Sequence, residues 1–292
     1  MNRPAAGNDF LDPILAREKQ FPDGLFGACH DGEGWTELTL GAFMRRARCF
    51  SRLLREHGLR AGDVMLIVLP HGLDAQAAFI GAMLLGAVPS FMPYPNFKQN
   101  EALYWRQHRI VFRHIDPRVI LTYAELLAAV GEAVVESRAE IVGAAEVESM
   151  APLEVAPPPG DAVALLQHSS GTTGLKKGVQ LGYAAIAAQL AAYADALDFA
   201  SGASPRIASW LPLYHDMGLI TSFLMPLWLG IPVVRGQKKW GSGTARHEAG
   251  FRRIGKGLTA DTGVFCASES EGAGRVVLPE NMRARGWCVD GR

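Results

Sequence analysis

The stretch from 62 to 92 constrains the fold of this 292-residue chain more than any other. GDVMLIVLP (62–70) is a short, almost continuous apolar run rich in Val, Ile and Leu, as expected of a strand buried on both faces. LDAQAAFIGAMLLG (73–86) is longer, alanine-rich and closed by glycine, which reads as a helix; AVPSFM (87–92) reads as a second strand. Strand, helix and strand within about thirty residues make a βαβ unit, whose strands lie parallel in one sheet.

The flanking segments extend this pattern. Thr39 reads as a helix N-cap, with Phe43, Ala47, Phe50 and Leu54 recurring at helical spacing behind it and Gly58 as the stop. Arg45, Arg46, Arg48, Arg52 and Arg55 fill the other faces and read as solvated. Residues 94–123 read as a loop, a helix and a third strand, and 124–150 as weakly helical. APLEVAPPPGD (151–161) is proline-rich and suits a linker or exposed loop. AVALLQHSS (162–170) resumes as a strand, YAAIAAQLAAYADALDF (183–199) as a helix, and RIASWLPLYHD (206–216) as a strand with its exit loop. Alternation of strands and helices predicts an α/β fold with sheet layers flanked by helices.

MGLITSFLMPLWLGIPVV (217–234) is long enough to imitate a membrane span, but Pro226, Gly230 and Pro232 interrupt it. It is expected to be a buried helix running into a buried strand, so no transmembrane segment is expected. The start, MNRPAAGNDFLDPILAREKQ, lacks the apolar core of a secretory signal. Cys29, Cys49, Cys266 and Cys288 lie far apart with no CxxC spacing. They suggest neither a metal site nor a disulfide framework, and a reducing cytoplasm is the expected compartment.

The character of the chain changes near residue 235. Residues 235–292 hold eleven Lys/Arg against six Asp/Glu, whereas the whole chain has 29 of each. RGQKKWGSGTARHEAGFRRIGKG has no sustained period of two or 3.6 and little apolar surface to offset the entropy of ordering. The division expected is therefore 1–234 and a basic, glycine-rich, poorly ordered tail over 235–292. Zero formal net charge provides no overall attraction to nucleic acid, so a nucleic-acid partner is not expected; the basic tail keeps such an interaction as an alternative.

SSGTTGLKKG (169–178) is the densest chemical signal. Its glycines allow close backbone approach to a ligand and positive φ. Ser169, Ser170, Thr172 and Thr173 carry hydroxyls suited to phosphate oxygens, and Lys177 carries a point charge. Placed between an apolar strand and a helix, such a loop can converge backbone amides on an anion. It is not a Walker A loop: the fifth residue after Gly171 is Lys176 rather than glycine, and Gly178 rather than a hydroxyl residue follows Lys177.

This decapeptide closely resembles the phosphate loop of the adenylate-forming (AMP-binding) superfamily, with Lys176 where proline is usual. SWLPLYHDMGL (209–219) resembles that family's next segment, and LPHGLDAQAAFIGAMLLGAVPSFMPYP (69–95) its early strand–helix–strand segment. HDMG and PYP look most like the fatty acyl-AMP ligase and long-chain acyl-CoA synthetase branches. The resemblance spans about residues 10–234 and implies part of the large N-terminal domain of an acid-activating ligase, an acyl-CoA synthetase-like enzyme of fatty acid metabolism. It implies ATP and Mg²⁺, with a fatty or other carboxylic acid as substrate and an acyl carrier protein or CoA as acceptor. Ser169, Ser170, Gly171, Thr172, Thr173, Gly174, Lys177 and Gly178 are then the nucleotide-binding residues, and Lys177 and His215 the catalytic ones, His215 beside the substrate carboxylate; no protein metal ligand is assigned. Asp216 is read as a cap for the following helix.

The family's adenine segment, ribose aspartate, hinge and C-terminal lysine have no visible counterpart here, and only GWCVDGR resembles the region near the hinge. The expectation is an N-terminal fragment of an acyl-adenylating ligase, truncated and catalytically impaired. A non-catalytic nucleotide- or acyl-binding module is the alternative from another class.

Overall fold

The computed structural model describes residues 7–30, 35–95, 100–134, 137–168, 178–197, 206–209, 211–235, 264–268 and 275–276. In chain order the elements begin with α1 (Leu11–Gln20), β1 (Leu25–His30), β2 (Trp35–Thr39) and α2 (Leu40–Glu56). Next come β3 (Val64–Val68), α3 (Leu73–Leu84), β4 (Val88–Phe91), α4 (Glu101–Ile115), β5 (Val119–Thr122), α5 (Leu127–Ala133) and β6 (Glu140–Gly143). The second half holds β7 (Val163–His168), β8 (Gly178–Gly182), α6 (Tyr183–Ala196), β9 (Arg206–Ser209), a π-helix (Met217–Leu224), α7 (Met225–Leu229), β10 (Val233–Arg235), β11 (Val264–Ser268) and β12 (Arg275–Val276). The chain divides into two compact units, one built from residues 1–12 and 42–186 and the other from 13–41 and 187–292.

The first unit contains a four-stranded sheet in the order β4-β3-β5-β6, parallel throughout. The βαβ unit expected over 62–92 is its centre. β3 and β5 are apolar and fully buried over Met65–Val68 and Val119–Thr122, which explains their unbroken hydrophobic runs. One face carries the core of Leu66, Val68, Tyr104, Trp105, Phe112, Ile120 and Val130, contributed by the sheet, α4 and α5. α4 starts where the Asn100 side chain accepts a 2.9 Å hydrogen bond from the Leu103 N–H, and ends at Asp116 in the left-handed region (φ 46°). Thr122 Oγ1 donates to the Val68 carbonyl at 3.1 Å, binding the ends of β5 and β3 together.

α2 and α3 approach closely because Gly81 has no side chain. A Cβ there would meet the Ala47 carbonyl oxygen, and Ser51 Oγ, packed into the same space, donates to the Gly81 carbonyl at 2.8 Å. Gly58, expected as the stop of α2, takes φ 84°. The interval 124–150 is not simply helical: β6 lies within it as an edge strand, too short at four residues to show an alternating pattern.

β7 and β8 form a two-stranded antiparallel sheet ending in the pair His168↔Gly178. This corrects the expected strand–loop–helix order. A second strand separates residue 177 from α6, so the helix N-terminus at Tyr183 is five residues removed from the loop sequence. The alternating residues of GVQLG are too few and too exposed to announce a strand. Tyr183 is buried, and its hydroxyl donates to the Met83 carbonyl at 2.9 Å.

The second unit contains a six-stranded mixed sheet, in the order β12-β11-β9-β10-β1-β2. β10 lies parallel to both β9 and β1, while β2, β11 and β12 add antiparallel at the two sides. The interrupted run 217–234 forms the π-helix, α7 and β10, matching the expected buried helix and strand. Gly230 closes α7 at φ 74°. Arg17 Nη1 donates to the carbonyls of Leu227 and Trp228 at 3.2 and 2.9 Å, serving the orphan acceptors of that short helix, and burial pushes its pKa down. β11 and β12 fall within 235–292, where the sequence is expected to hold little regular structure. GVFCAS supplies a strand-length apolar run that periodicity over a longer window does not register. No helix among the described residues is long and apolar enough to cross a membrane.

Candidate functional site

Of the loop assigned to phosphate binding, Ser169, Ser170, Gly171, Thr172, Thr173, Gly174 and Lys177 lie outside the described residues; Gly178, the first residue of β8, is described and exposed. Their setting in the first unit is defined by the strands on either side. His168, the last residue of β7, is hydrogen-bonded through Nδ1 to Ser90 Oγ at 2.9 Å. Ser90 belongs to β4 and is 1% exposed. The strand that delivers the chain into the loop is therefore tied to the neighbouring parallel sheet at its final residue. Neither residue stands out in the sequence; only His168's place directly before the loop marks it.

In the second unit, β9 ends at Ser209, whose Oγ accepts from the Leu211 N–H at 3.1 Å and starts the turn that carries His215. The His215 N–H donates to the Pro212 carbonyl at 3.1 Å, and the His215 carbonyl accepts from the Leu219 N–H at 2.9 Å. Gly218 lets this turn close, because a Cβ there would overlap the Pro212 carbonyl. The His215 side chain is 55% exposed, with Nδ1 at 2.5 Å from Asp216 Oδ1. Donation from Nδ1 to that carboxylate leaves Nε2 as the acceptor of the neutral ring. Asp216 also accepts from the Met217 N–H at 2.8 Å, which supports its expected capping role. The helix it caps is a π-helix, a rare form that recurs at functional sites.

The donor set in 169–178 is hydroxyls, backbone amides and two lysines, Lys176 and Lys177, which suits phosphate oxygens. It contains no carboxylate, so a magnesium ion there would be held mainly by phosphate oxygens. Among the described residues no group of three or more His, Cys, Asp or Glu is arranged to hold a metal ion. Two grooves of about 530 and 370 Å³ open elsewhere, the first beside Trp105 and Arg109 and the second beside Arg17 and Phe21. Neither contains Gly178 or His215.

A family model described as AMP-binding enzyme matches residues 17–240. A long-chain-fatty-acid–AMP ligase of Mycolicibacterium smegmatis is 32% identical over 200 residues, covering 65% of this chain and 30% of the relative. A sulfoacetate–CoA ligase of Cupriavidus necator is 30% identical over 232 residues, covering 76% and 43%. The chain thus spans less than half of the length of these relatives. Among solved structures, a fatty acyl-adenylate ligase of Legionella pneumophila, in complex with acyl adenylate and pyrophosphate, superposes with a TM-score of 0.65 at 22% identity, covering 80% of this chain and 40% of that one.

Proposed function

Because the chain belongs to the AMP-binding enzyme family, we propose that it carries the phosphate-binding and acid-binding part of an acyl-adenylating ligase. In the reaction, a carboxylate oxygen attacks the α-phosphorus of ATP. The bond to the bridging oxygen of the β-phosphate breaks, and acyl-AMP and pyrophosphate form. Such catalysis rests on positioning two anions and on stabilising the charge that builds on phosphorus. Thr172, Thr173 and Lys177, with the amides around Gly171, Gly174 and Gly178, hold the β- and γ-phosphates; Ser169 and Ser170 add hydroxyl donors. Magnesium, when bound, neutralises charge on the phosphate oxygens. His215, its ring oriented by Asp216 at 2.5 Å, orients the acid's carboxylate.

The observation that carries this reading is the family match across 169–178 and 209–219 together. The two relatives are named for a long-chain fatty acid and for sulfoacetate, so the shared element is activation of a carboxylate. The fatty-acid reading rests on the HDMG and PYP segments. A reducing cytoplasm and delivery of the acyl group to CoA or a carrier-protein thiol complete the proposal. We assign residues 1–234 to the adenylation domain and 235–292 to a basic, glycine-rich tail, whose β11 and β12 join the six-stranded sheet.

The 292-residue chain alone binds triphosphate weakly and forms no acyl-AMP at a useful rate. Supporting this, the segments that would fix adenine, ribose and the α-phosphate have no counterpart in its sequence. Lost orientation can cost about 7–11 kcal/mol of barrier lowering. The test is pyrophosphate release and acyl-hydroxamate trapping with fatty acids at millimolar ATP, alongside ATP titration calorimetry and a Lys177→Ala control. Weak binding lost in Lys177→Ala, without turnover, is expected. Robust turnover abolished in the control would defeat the impairment, and absence of any Lys177-dependent ATP binding would defeat the phosphate assignment.

A further inference from the structure

Arg235 is an arginine in the middle strand of three, 3% exposed, with β9 on one side of β10 and β1 on the other. Its guanidinium reaches two backbone carbonyls on separate segments. Nη1 donates to the Leu211 carbonyl at 3.0 Å and Nη2 to the Ser222 carbonyl at 3.1 Å. These acceptors bracket His215: Leu211 stands at the start of its turn and Ser222 inside the π-helix that follows.

The Ser222 carbonyl lies at the step from the π-helix to α7. Pro226, in the first turn of α7, has no N–H to give to the carbonyls that precede it. The chain therefore passes through proline in the π-helix-to-α7 step, and the guanidinium supplies an N–H at that place. The requirement for arginine follows from shape: its planar fork presents two nitrogens to two carbonyls, whereas lysine brings a single nitrogen. The start of the turn is held independently by β9, since Arg235 and Ser209 are register partners and Ser209 Oγ accepts from the Leu211 N–H.

We infer that Arg235 is a positioning residue for His215, clamping both sides of the 211–222 segment so that the imidazole is presented in one orientation. The inference rests on the reading above for what His215 does, but the clamp itself requires no substrate. It also gives Arg235 a place in the folded domain, although the sequence assigns it to the basic tail.

The test is amide hydrogen exchange and imidazole ¹H–¹⁵N spectroscopy on the full 292-residue chain. In Arg235→Met, exchange across 211–222 should rise at least tenfold while 25–39, in the same sheet, changes less than twofold. The single His215 state with Nδ1 bonded to Asp216 should give way to averaged tautomers. Arg235→Lys should fall between, keeping one of the two contacts. Unchanged exchange over 211–222, an equal rise over 25–39, or an unaltered His215 spectrum would overturn the inference. Should Arg235→Met not fold, Arg235→Lys decides by the same criteria. No ATP or acid is present, so a chain that passes here yet shows no Lys177-dependent ATP binding refutes the adenylation reading alone.

Discussion

The four-stranded and six-stranded sheets differ in how their strands find one another. In the parallel sheet of the first unit, neighbours come from successive βα steps: Val64 pairs with Val88, and Val119 with Glu140. In the mixed sheet of the second unit, Gly27 pairs with Val233, a contact that closes a loop on the order of two hundred residues. Local pairing puts the fold's signature within one short window. Distant pairing leaves each strand a fragment whose partner cannot be read from its surroundings.

The largest expected effect separates these two modes directly. Gly27 sits where a Cβ would overlap the Val233 carbonyl oxygen and crowd Val233 Cγ1 at 2.9 Å. Gly27→Val should cost about 3 kcal/mol or more, because the obstacle is backbone and cannot swing aside. Hydrogen exchange should show the loss over β1 and β10, with β3 and β5 protected as in the parent. Gly81→Ala is the counterpart, aimed at the α2–α3 contact through the Ala47 carbonyl. Its loss should appear in the first unit. If both variants loosen the same peptides, the contrast between the units fails.

Legibility follows the same line. β3, α3, β4 and β5 are visible in the sequence because each buries an uninterrupted apolar face, so composition and length alone mark them. β1 (LFGACH) and β2 (WTELT) carry mixed residues; β1 joins the sheet through the distant β10, and β2 follows by pairing with β1. β8 shows why the loop's setting is misread: Gly178, Val179 and Gln180 are exposed, so nothing hydrophobic separates loop from strand. His215 and the phosphate loop are legible as motifs, since they are patterns of side-chain chemistry. Their supports are not. Ser90 and Arg235 act through contacts to residues far off in sequence, and each looks ordinary beside its neighbours.

An intermediate effect is confined to the first unit and appears at alkaline pH. Tyr183 and Tyr104 are buried phenols whose pKa values are pushed above the usual 10.0, in both cases first by burial. The unfolded chain releases these protons near pH 10, and the folded chain holds them. Their contribution is therefore fully present below about pH 10 and lost as pH rises beyond it, at up to about 1.4 kcal/mol per pH unit for each phenol. Urea midpoints measured from pH 8 to 11 should fall at the upper end. Tyr183→Phe should lose about 0.5–1.5 kcal/mol at neutral pH with the Met83 hydrogen bond, and its alkaline decline should be shallower. A parallel decline in parent and variant would show that Tyr183 is not among the groups responsible.

The smallest effect comes from the ion pairs on the surface of the same unit. Arg46 holds Asp74 through two contacts, Nε to Oδ1 at 2.9 Å and Nη2 to Oδ2 at 3.1 Å, and holds Glu148 through a single one at 2.6 Å. The hydrogen bond from Arg46 lowers the Glu148 pKa below its usual 4.5, so the pair contributes above that pH and is lost as the pH falls below it. The Glu148 side chain is 72% exposed, and water screens most of the attraction. Glu148→Gln should therefore shift stability by no more than about 0.5 kcal/mol. Asp74→Asn should cost more, because it breaks a bidentate pair and removes a carboxylate from the first turn of α3, where the helix dipole favours negative charge. Both effects should fade in high salt and leave exchange in β1 and β10 unchanged. An Asp74→Asn variant no less stable than Glu148→Gln would mean that bidentate geometry adds nothing at this surface, and that the first unit owes its stability to the buried sheet alone.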